Sequence, residues 1–160
     1  MTDTTYSTKE LESVAAEYIG KIVFKLSELE SNLNLCLRWT VKAQDLNTVN
    51  PLVERLSFKS KIDALIEIIE IKFNPNPECI SEFKSWHRKL DKFRVKRNSF
   101  IHGRWEFLTK DQPIVNTAQG INGSNKHKET HYEVSELKQE LLSIERISEE
   151  FYALRRKWHI

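Results

Sequence analysis

The longest regular pattern in the chain is an apolar stripe near the N-terminus, repeated at helical spacing. Its members are Leu11, Val14, Tyr18, Ile22, Leu26, Leu29, Leu33, Leu37 and Val41. This spacing keeps the side chains on one face of an α-helix for about nine turns. Ser7 or Thr8 can cap the start, with Glu10 completing a capping box, and residues 47–51 break the pattern. Because so long a stripe usually packs along a partner of similar length, we expect a helical protein.

Two further helices are predicted in the middle of the chain. The first begins near Ser57 and stops at residues 74–77, where two prolines alternate with asparagines. The second runs from about Glu78 to Ile101, and Gly103 is expected to take the left-handed conformation that often ends a helix. The apolar stripe of this second helix is Phe83, Trp86, Leu90, Phe93 and Phe100.

The stretch from about 104 to 134 favours strands and turns over helix. Ser135 is then expected to cap a last helix that continues to Trp158. We therefore predict one domain over residues 1–160. Its fold class is mainly α, a bundle of four to five helices with a small β-hairpin-like insertion before the last helix. The expected strands are 105–108, 114–115 and 130–134, and the expected turns are 110–113 and 120–125.

The charge of the chain is unevenly distributed. The formal net charge is only +2, yet the segment from Lys84 to Arg104 holds eight cations and one anion, Asp91. Eight minus one gives this segment about +7, which leaves the remainder of the chain at about −5. A local excess of this kind attracts polyanions such as nucleic acids.

The cysteines and the N-terminus predict a soluble, cytoplasmic protein. Cys36 and Cys79 lie in apolar helical contexts, which indicates buried free thiols in a reducing compartment. Residues 1–8 lack the basic start and apolar block of a signal peptide, and no uncharged apolar run is long enough for a membrane span. His127 and His131 are expected in an extended segment, where four residues span about 13 Å. We expect no metal site and no cofactor.

Chemically useful side chains concentrate at residues 97–102, which read Arg-Asn-Ser-Phe-Ile-His. Arg94, Asn98 and His102 are four apart, so they line one helix face, where the Asn98 amide can orient the His102 ring. Arg97 instead occupies a position on the otherwise apolar stripe. An unpaired buried charge is costly, so this guanidinium must be paired or must face a wet cleft.

Two interpretations of residues 97–102 are open at this point. In one, the arginine, amide and histidine form the apparatus for cleaving a phosphodiester without a metal. In the other, His102 merely caps the carbonyls at the end of its helix, and Arg97 forms a salt bridge with an acid on the first helix, such as Glu17 or Glu28.

The R-N-x-x-x-H arrangement on the third predicted helix, which continues as His-Gly-Arg-Trp over residues 102–105, resembles that of a HEPN domain. The likeness covers the helical frame coarsely, from about Thr8 to Trp158, and is specific only over residues 97–102. Many members of that family are metal-independent endoribonucleases, commonly homodimers in which the motifs of two protomers meet across a shared cleft. Such proteins often serve as toxins or in phage and stress defence.

The resemblance implies a role for each residue of the motif. Arg97 would stabilise the charged phosphorane, and His102 would handle the proton of the ribose 2′-hydroxyl or of the leaving oxygen. Asn98 would occupy the polar position between them. The partners implied are RNA, a second copy of the chain and, where the protein is a toxin, an antitoxin protein. Some toxin members carry a modifiable tyrosine two residues after the histidine, and here that position is Arg104, so that mode of neutralisation is not expected.

The cation-rich helix is expected to hold RNA phosphates, although solvated surface cations are the plain alternative. The residues expected to bind RNA are Arg88, Lys92, Arg94, Lys96 and Arg104. Whether the chain is an enzyme is left open by the residues alone. The same bundle can serve as a catalytically silent dimeric module that binds RNA or a nucleotide, or as a structural interaction domain.

Overall fold

The structure is a computed structural model that describes residues 6–42, 45–107, 114–118 and 128–160, without the side chain of Leu46. Within these residues the chain is mainly helical, with one small antiparallel sheet before the last helix, which confirms the predicted fold class. In chain order the elements are α1 (Thr8–Thr40), α2 (Leu46–Arg55), α3 (Phe58–Lys72), α4 (Pro77–His102), β1 (Arg104–Phe107), β2 (Ile114–Ala118), β3 (Lys128–Tyr132) and α5 (Val134–Trp158).

The start of α1 and its apolar face follow the sequence pattern. The Ser7 backbone N–H donates to Glu10 Oε2 at 2.8 Å, and the Glu10 N–H donates to Ser7 Oγ at 3.4 Å, which confirms the capping box. Most of the predicted stripe is buried, whereas Val41 is 46% exposed because it follows the end of the helix. The buried members of the stripe are Leu11, Ile22, Leu26, Leu29, Leu33 and Leu37.

Residues 47–51, predicted to interrupt the helical pattern, belong instead to α2. Asp45 is the N-cap, and its side chain accepts a hydrogen bond from the Asn47 N–H at 2.8 Å. Pro51 lies inside this helix, where it supplies no N–H, yet the helix continues to Arg55. The prediction was wrong because it weighed the proline and overlooked the cap, which satisfies an N–H at the start of the helix.

Both ends of α3 and the start of α4 agree with the predicted boundaries to within one or two residues. Ser57 caps α3 by accepting from the Ser60 N–H at 3.1 Å. Two details at other helix ends were predicted wrongly. Gly103 does not adopt the left-handed conformation, and Ser135 lies inside α5, which begins one residue earlier. At the start of α5 the Glu133 N–H donates a hydrogen bond to the Glu136 carboxylate at 2.8 Å.

The sheet has the strand order β1-β2-β3, and both pairs are antiparallel. Asn116 in the central strand lies opposite Trp105 on one side and Thr130 on the other. Because side chains alternate between the faces of a strand, these three residues share one face of the sheet. The predicted turns at 110–113 and 120–125, and His127, lie outside the described residues.

Contacts between Cα atoms divide the chain into two compact units, each built from two stretches of sequence. The described parts of residues 1–24 and 95–143 form the first unit, and residues 25–94 and 144–160 form the second. The prediction of a single domain is not tested by this division.

The first unit has an aromatic cluster in its interior. The Phe100 ring lies 5.6 Å from the rings of both Trp105 and Tyr132, measured between centroids, and the latter two rings are 5.8 Å apart. Such spacing is typical of favourable aromatic pairs. The cluster therefore joins the end of α4 to strands β1 and β3.

The second unit is centred on Trp86, which is fully buried as predicted. Its ring stacks on Phe151 at 4.7 Å, and its Nε1–H donates to the Ile147 carbonyl at 3.0 Å. Cys36 and Cys79 are buried free thiols, also as predicted. No helix in the described part of the chain is long and apolar enough to cross a membrane.

Candidate active site

Arg97 lies on the predicted stripe of α4 but differs from its neighbours in burial. The five apolar members of that stripe are all at most 4% exposed, whereas Arg97 is half-buried. Its guanidinium donates to Asn98 Oδ1 at 3.3 Å. Within the residues that the structure describes, no carboxylate pairs with it, and the acids Glu17 and Glu28 pair instead with Lys21 and Lys25. The salt bridge required by the purely structural interpretation is therefore absent from the described residues.

His102 is the last residue of α4, and its side chain is exposed. Two carbonyls of the last turn of α4 accept hydrogen bonds from other donors. The Ser99 carbonyl accepts from the Gly103 N–H at 2.8 Å, and the Phe100 carbonyl accepts from Trp105 Nε1 at 3.0 Å. His102 makes no hydrogen bond to any described residue, so its imidazole caps none of the described carbonyls.

Hydrogen bonds among the described residues do not link all three motif residues. Arg97 and Asn98 are hydrogen-bonded to each other, while no bond in the described chain joins either of them to His102. The expected hydrogen bond between Asn98 and His102 is therefore not formed among the described residues. Five residues correspond to about 140° around an α-helix. This rotation explains why Arg97 faces the protein while His102, on the next turn, faces solvent.

Most of the cations in the basic segment have acidic partners. Five of the eight are paired, and four of the five acids come from outside the segment or from its flank. The pairs are Lys84–Glu70, Lys89–Glu150 (2.8 Å), Arg94–Asp91 (2.9 Å), Lys96–Glu140 (2.5 Å) and Arg104–Glu106 (3.0 Å). Among the described residues, Arg88, Lys92 and Arg97 have no carboxylate partner. Of the five cations predicted to bind RNA, three thus have an acidic partner within the described chain, and Arg88 and Lys92 do not.

Comparisons with family models, curated proteins and solved structures found no match. The interpretation of this site therefore rests on its residues. No group of three or more His, Cys, Asp or Glu side chains suited to a metal ion occurs in the described part of the chain.

Asn116 is a residue at this site that the sequence did not point out. It is 1% exposed in the central strand, and its Nδ2 donates to the Ser99 carbonyl at 3.1 Å. Its Oδ1 is buried and has no hydrogen-bond partner among the described residues. The available signal was an asparagine inside an apolar, β-favouring run, because asparagine is depleted in strands.

Glycine is needed at position 103 because there is no room for a side chain, and not because its backbone angles are left-handed. A Cβ atom at this position would lie 2.3 Å from the Ser99 carbonyl oxygen and 2.5 Å from Asn116 Nδ2. Real side chains do not approach other atoms this closely. The absence of a side chain at Gly103 therefore lets strand β2 lie directly against the turn that carries His102.

Tyr132 completes the surroundings of this helix end. Burial raises the pKa of its phenol to about 12, with a further contribution from the negative charges of Glu140 and Glu136. The phenol is therefore neutral over the physiological range. It contributes an apolar ring against Phe100 and no charge to the site.

Proposed function

We propose that this protein is a metal-independent endoribonuclease of the HEPN type that acts on RNA as a homodimer. The observation that carries the proposal is that Arg97 is half-buried and its guanidinium has no carboxylate partner in the described chain. A guanidinium kept free of carboxylates retains N–H donors for an anion, and its planar fork matches the geometry of a phosphate.

The proposed chemistry is attack by the ribose 2′-oxygen on the adjacent phosphorus. The new P–O2′ bond forms as the P–O5′ bond breaks, leaving a 2′,3′-cyclic phosphate and a 5′-hydroxyl. The proton of the 2′-hydroxyl passes to a base, and the leaving 5′-oxygen takes a proton from an acid. An exposed imidazole such as that of His102 can perform either transfer. Arg97 would stabilise the charge that develops on the phosphorane.

A second copy of the chain supplies what one protomer lacks. One His102 cannot serve as base and as acid in the same step, whereas two copies can. The surface of α4 beside the motif also suits an interface, because Val95 and Ile101 are 59% and 39% exposed. The resemblance to toxins and defence proteins adds an antitoxin protein as a further proposed partner.

The decisive experiment is cleavage of mixed cellular RNA by the purified protein in excess EDTA. We expect His102→Ala to reduce the rate by about 10²- to 10⁴-fold, and Arg97→Ala by about 10²- to 10³-fold. The matched controls are His131→Ala, which alters an exposed histidine on β3, and Arg146→Ala, which alters an exposed arginine on α5. Both controls should cleave at the wild-type rate.

A single 2′-deoxy nucleotide at a mapped cut site tests the nucleophile. Cutting at that position should stop, while neighbouring sites are still cut. Continued cutting there would exclude the 2′-oxygen as the attacking group. Tight RNA binding without any cleavage would favour the catalytically silent module instead, and Arg97→Ala that weakens only dimerisation would favour a structural domain.

A further inference from the structure

The buried carboxamide of Asn116 makes a hydrogen bond to the end of α4 that an apolar residue at this position could not make. Asn116 stands in the middle of a strand, 1% exposed, on the sheet face that also carries Trp105. A buried amide with an unpartnered oxygen costs free energy that an apolar residue of similar size would not. Buried polar groups of this kind call for a specific reason.

The position of this carboxamide indicates the reason. Its Nδ2 donates to the Ser99 carbonyl, three residues before His102, and that carbonyl also accepts from the Gly103 N–H immediately after His102. The missing side chain of Gly103 leaves room for Asn116 to reach this point. The hydrogen bond from Gly103 to Ser99 thus closes the turn that contains His102, and Asn116 holds the same carbonyl from strand β2.

A second side chain from the sheet holds the adjacent carbonyl. Trp105 Nε1 donates to the Phe100 carbonyl at 3.0 Å, and the Trp105 ring packs on Phe100. Helix ends normally fray because their last carbonyls lack partners. Here the last turn of α4 is fastened by two side chains from the inserted sheet, so its backbone is held where an isolated helix end would be mobile.

We propose that Asn116 is a positioning residue, which fixes the last turn of α4 and thereby the direction from which the His102 imidazole meets its substrate. This inference rests on the proposed function for its catalytic consequence. It gives the inserted sheet a role in holding the helix end that carries His102. A histidine that transfers protons must be held within about half an ångström of its productive position, and an unfastened helix end does not provide that.

The test compares Asn116→Ala with Thr117→Ala, a control in the same strand whose half-buried side chain belongs to the opposite sheet face. We expect Asn116→Ala to lower kcat for RNA cleavage by at least tenfold while KM changes less than twofold. We also expect faster hydrogen exchange at the Gly103 amide and a shifted, broadened ring resonance of His102. The amides of residues 83–93 in α4 should exchange as in the wild type, which would show that the helix is otherwise intact.

If Asn116→Ala does not fold, Asn116→Thr provides the same comparison, since it suits a strand but its hydroxyl is too short to reach Ser99. Unchanged Gly103 exchange and an unchanged His102 resonance would overturn the proposal whether or not the protein cleaves RNA. An unchanged kcat in a cleaving protein would overturn it as well. A wild-type protein that cleaves no RNA would instead refute the proposed function, and the exchange and resonance data would still decide whether Asn116 holds this turn.

Discussion

The Nζ atom of Lys61 lies 2.6 Å from Oε1 of Glu30, and this pair joins α3 to α1 through a lysine side chain that is only 6% exposed. The Glu30 side chain is 36% exposed. A buried lysine needs a partner of this kind, because a buried charge without one carries an uncompensated desolvation penalty. Removing Glu30 alone would therefore destabilise the protein, because the Lys61 charge would stay buried without a partner.

We expect Glu30→Ala to lower the free energy of unfolding by about 1–3 kcal/mol, since it leaves the Lys61 ammonium buried without its partner. Urea unfolding measures this change. Glu28→Ala is the control, because Glu28 and its partner Lys25 are 56% and 42% exposed, and its effect should stay within about 0.5 kcal/mol. Adding Lys61→Met to Glu30→Ala should recover most of the loss, and no recovery would contradict this account.

Asp63 should contribute to the pH dependence of stability. Burial alone would raise the pKa of this carboxyl, but hydrogen bonds from Lys59 and from His87, at 2.6 and 2.7 Å, outweigh burial and lower the pKa below 3.8. In the unfolded chain the carboxyl titrates near its ordinary value, so the unfolded state binds the proton first as the pH falls. The stabilisation is therefore complete above about pH 4 and is lost as the pH drops through the folded-state pKa.

The variant Asp63→Asn tests this sign. It should be less stable than the wild type at neutral pH, and the difference should shrink as the pH falls below about 4. Urea unfolding at a series of pH values provides the comparison. Glu67→Gln, an exposed acid on the same helix, should give a small, constant difference. A difference between Asp63→Asn and the wild type that stays constant down to low pH would contradict the assignment.

Two glycine-to-alanine substitutions should change stability in opposite directions. A Cβ at Gly103 would meet the Ser99 carbonyl at 2.3 Å, whereas a Cβ at Gly20, inside α1, would have nothing within 4 Å. Gly103→Ala should lower the free energy of unfolding by about 1–3 kcal/mol, as overpacking typically does. Gly20→Ala should raise it by about 0.5–1 kcal/mol, because alanine loses less entropy in a helix. Thermal and urea unfolding measure both changes. If Gly103→Ala raised the free energy of unfolding as Gly20→Ala does, the packing described at Gly103 would be wrong.

RNA affinity should depend on Arg88 and Lys92 more than on the lysines of α4 that already pair with acids. Replacing both with alanine should reduce the slope of log K, the RNA association constant, against log salt concentration by about 1.4. This value corresponds to two lost single-strand phosphate contacts at ~0.7 each. The matched control removes Lys84 and Lys89, whose amines already pair with Glu70 and Glu150. Fluorescence anisotropy in the His102→Ala background measures binding without cleavage. Equal slopes for the two double variants would contradict this prediction, because cations with and without an acidic partner would then contribute equally to RNA binding.

Local sequence information was sufficient for much of the helical frame. The apolar stripes of α1 and α4, the capping box at Ser7 and the cap at Ser57 each depend on residues within a few positions of one another, and each was predictable. The same kind of reasoning failed where two local signals conflicted. Pro51 argued against α2 and the Asp45 cap argued for it, and their relative strength cannot be judged from the residue types alone.

The candidate site divides in the same way. By itself the sequence determined that Arg97, Asn98 and His102 occupy the last turns of one helix, because helical periodicity is a property of neighbouring residues. Only the tertiary structure decided what surrounds them. Lys89 and Lys96 meet acids 61 and 44 residues away, and Ser99 meets Asn116 across 17 residues. Such pairings depend on how separate elements pack, and no local pattern in the sequence predicts that packing. Only the tertiary structure therefore shows which cations of α4 lack an acidic partner and which side chains hold the turn that carries His102.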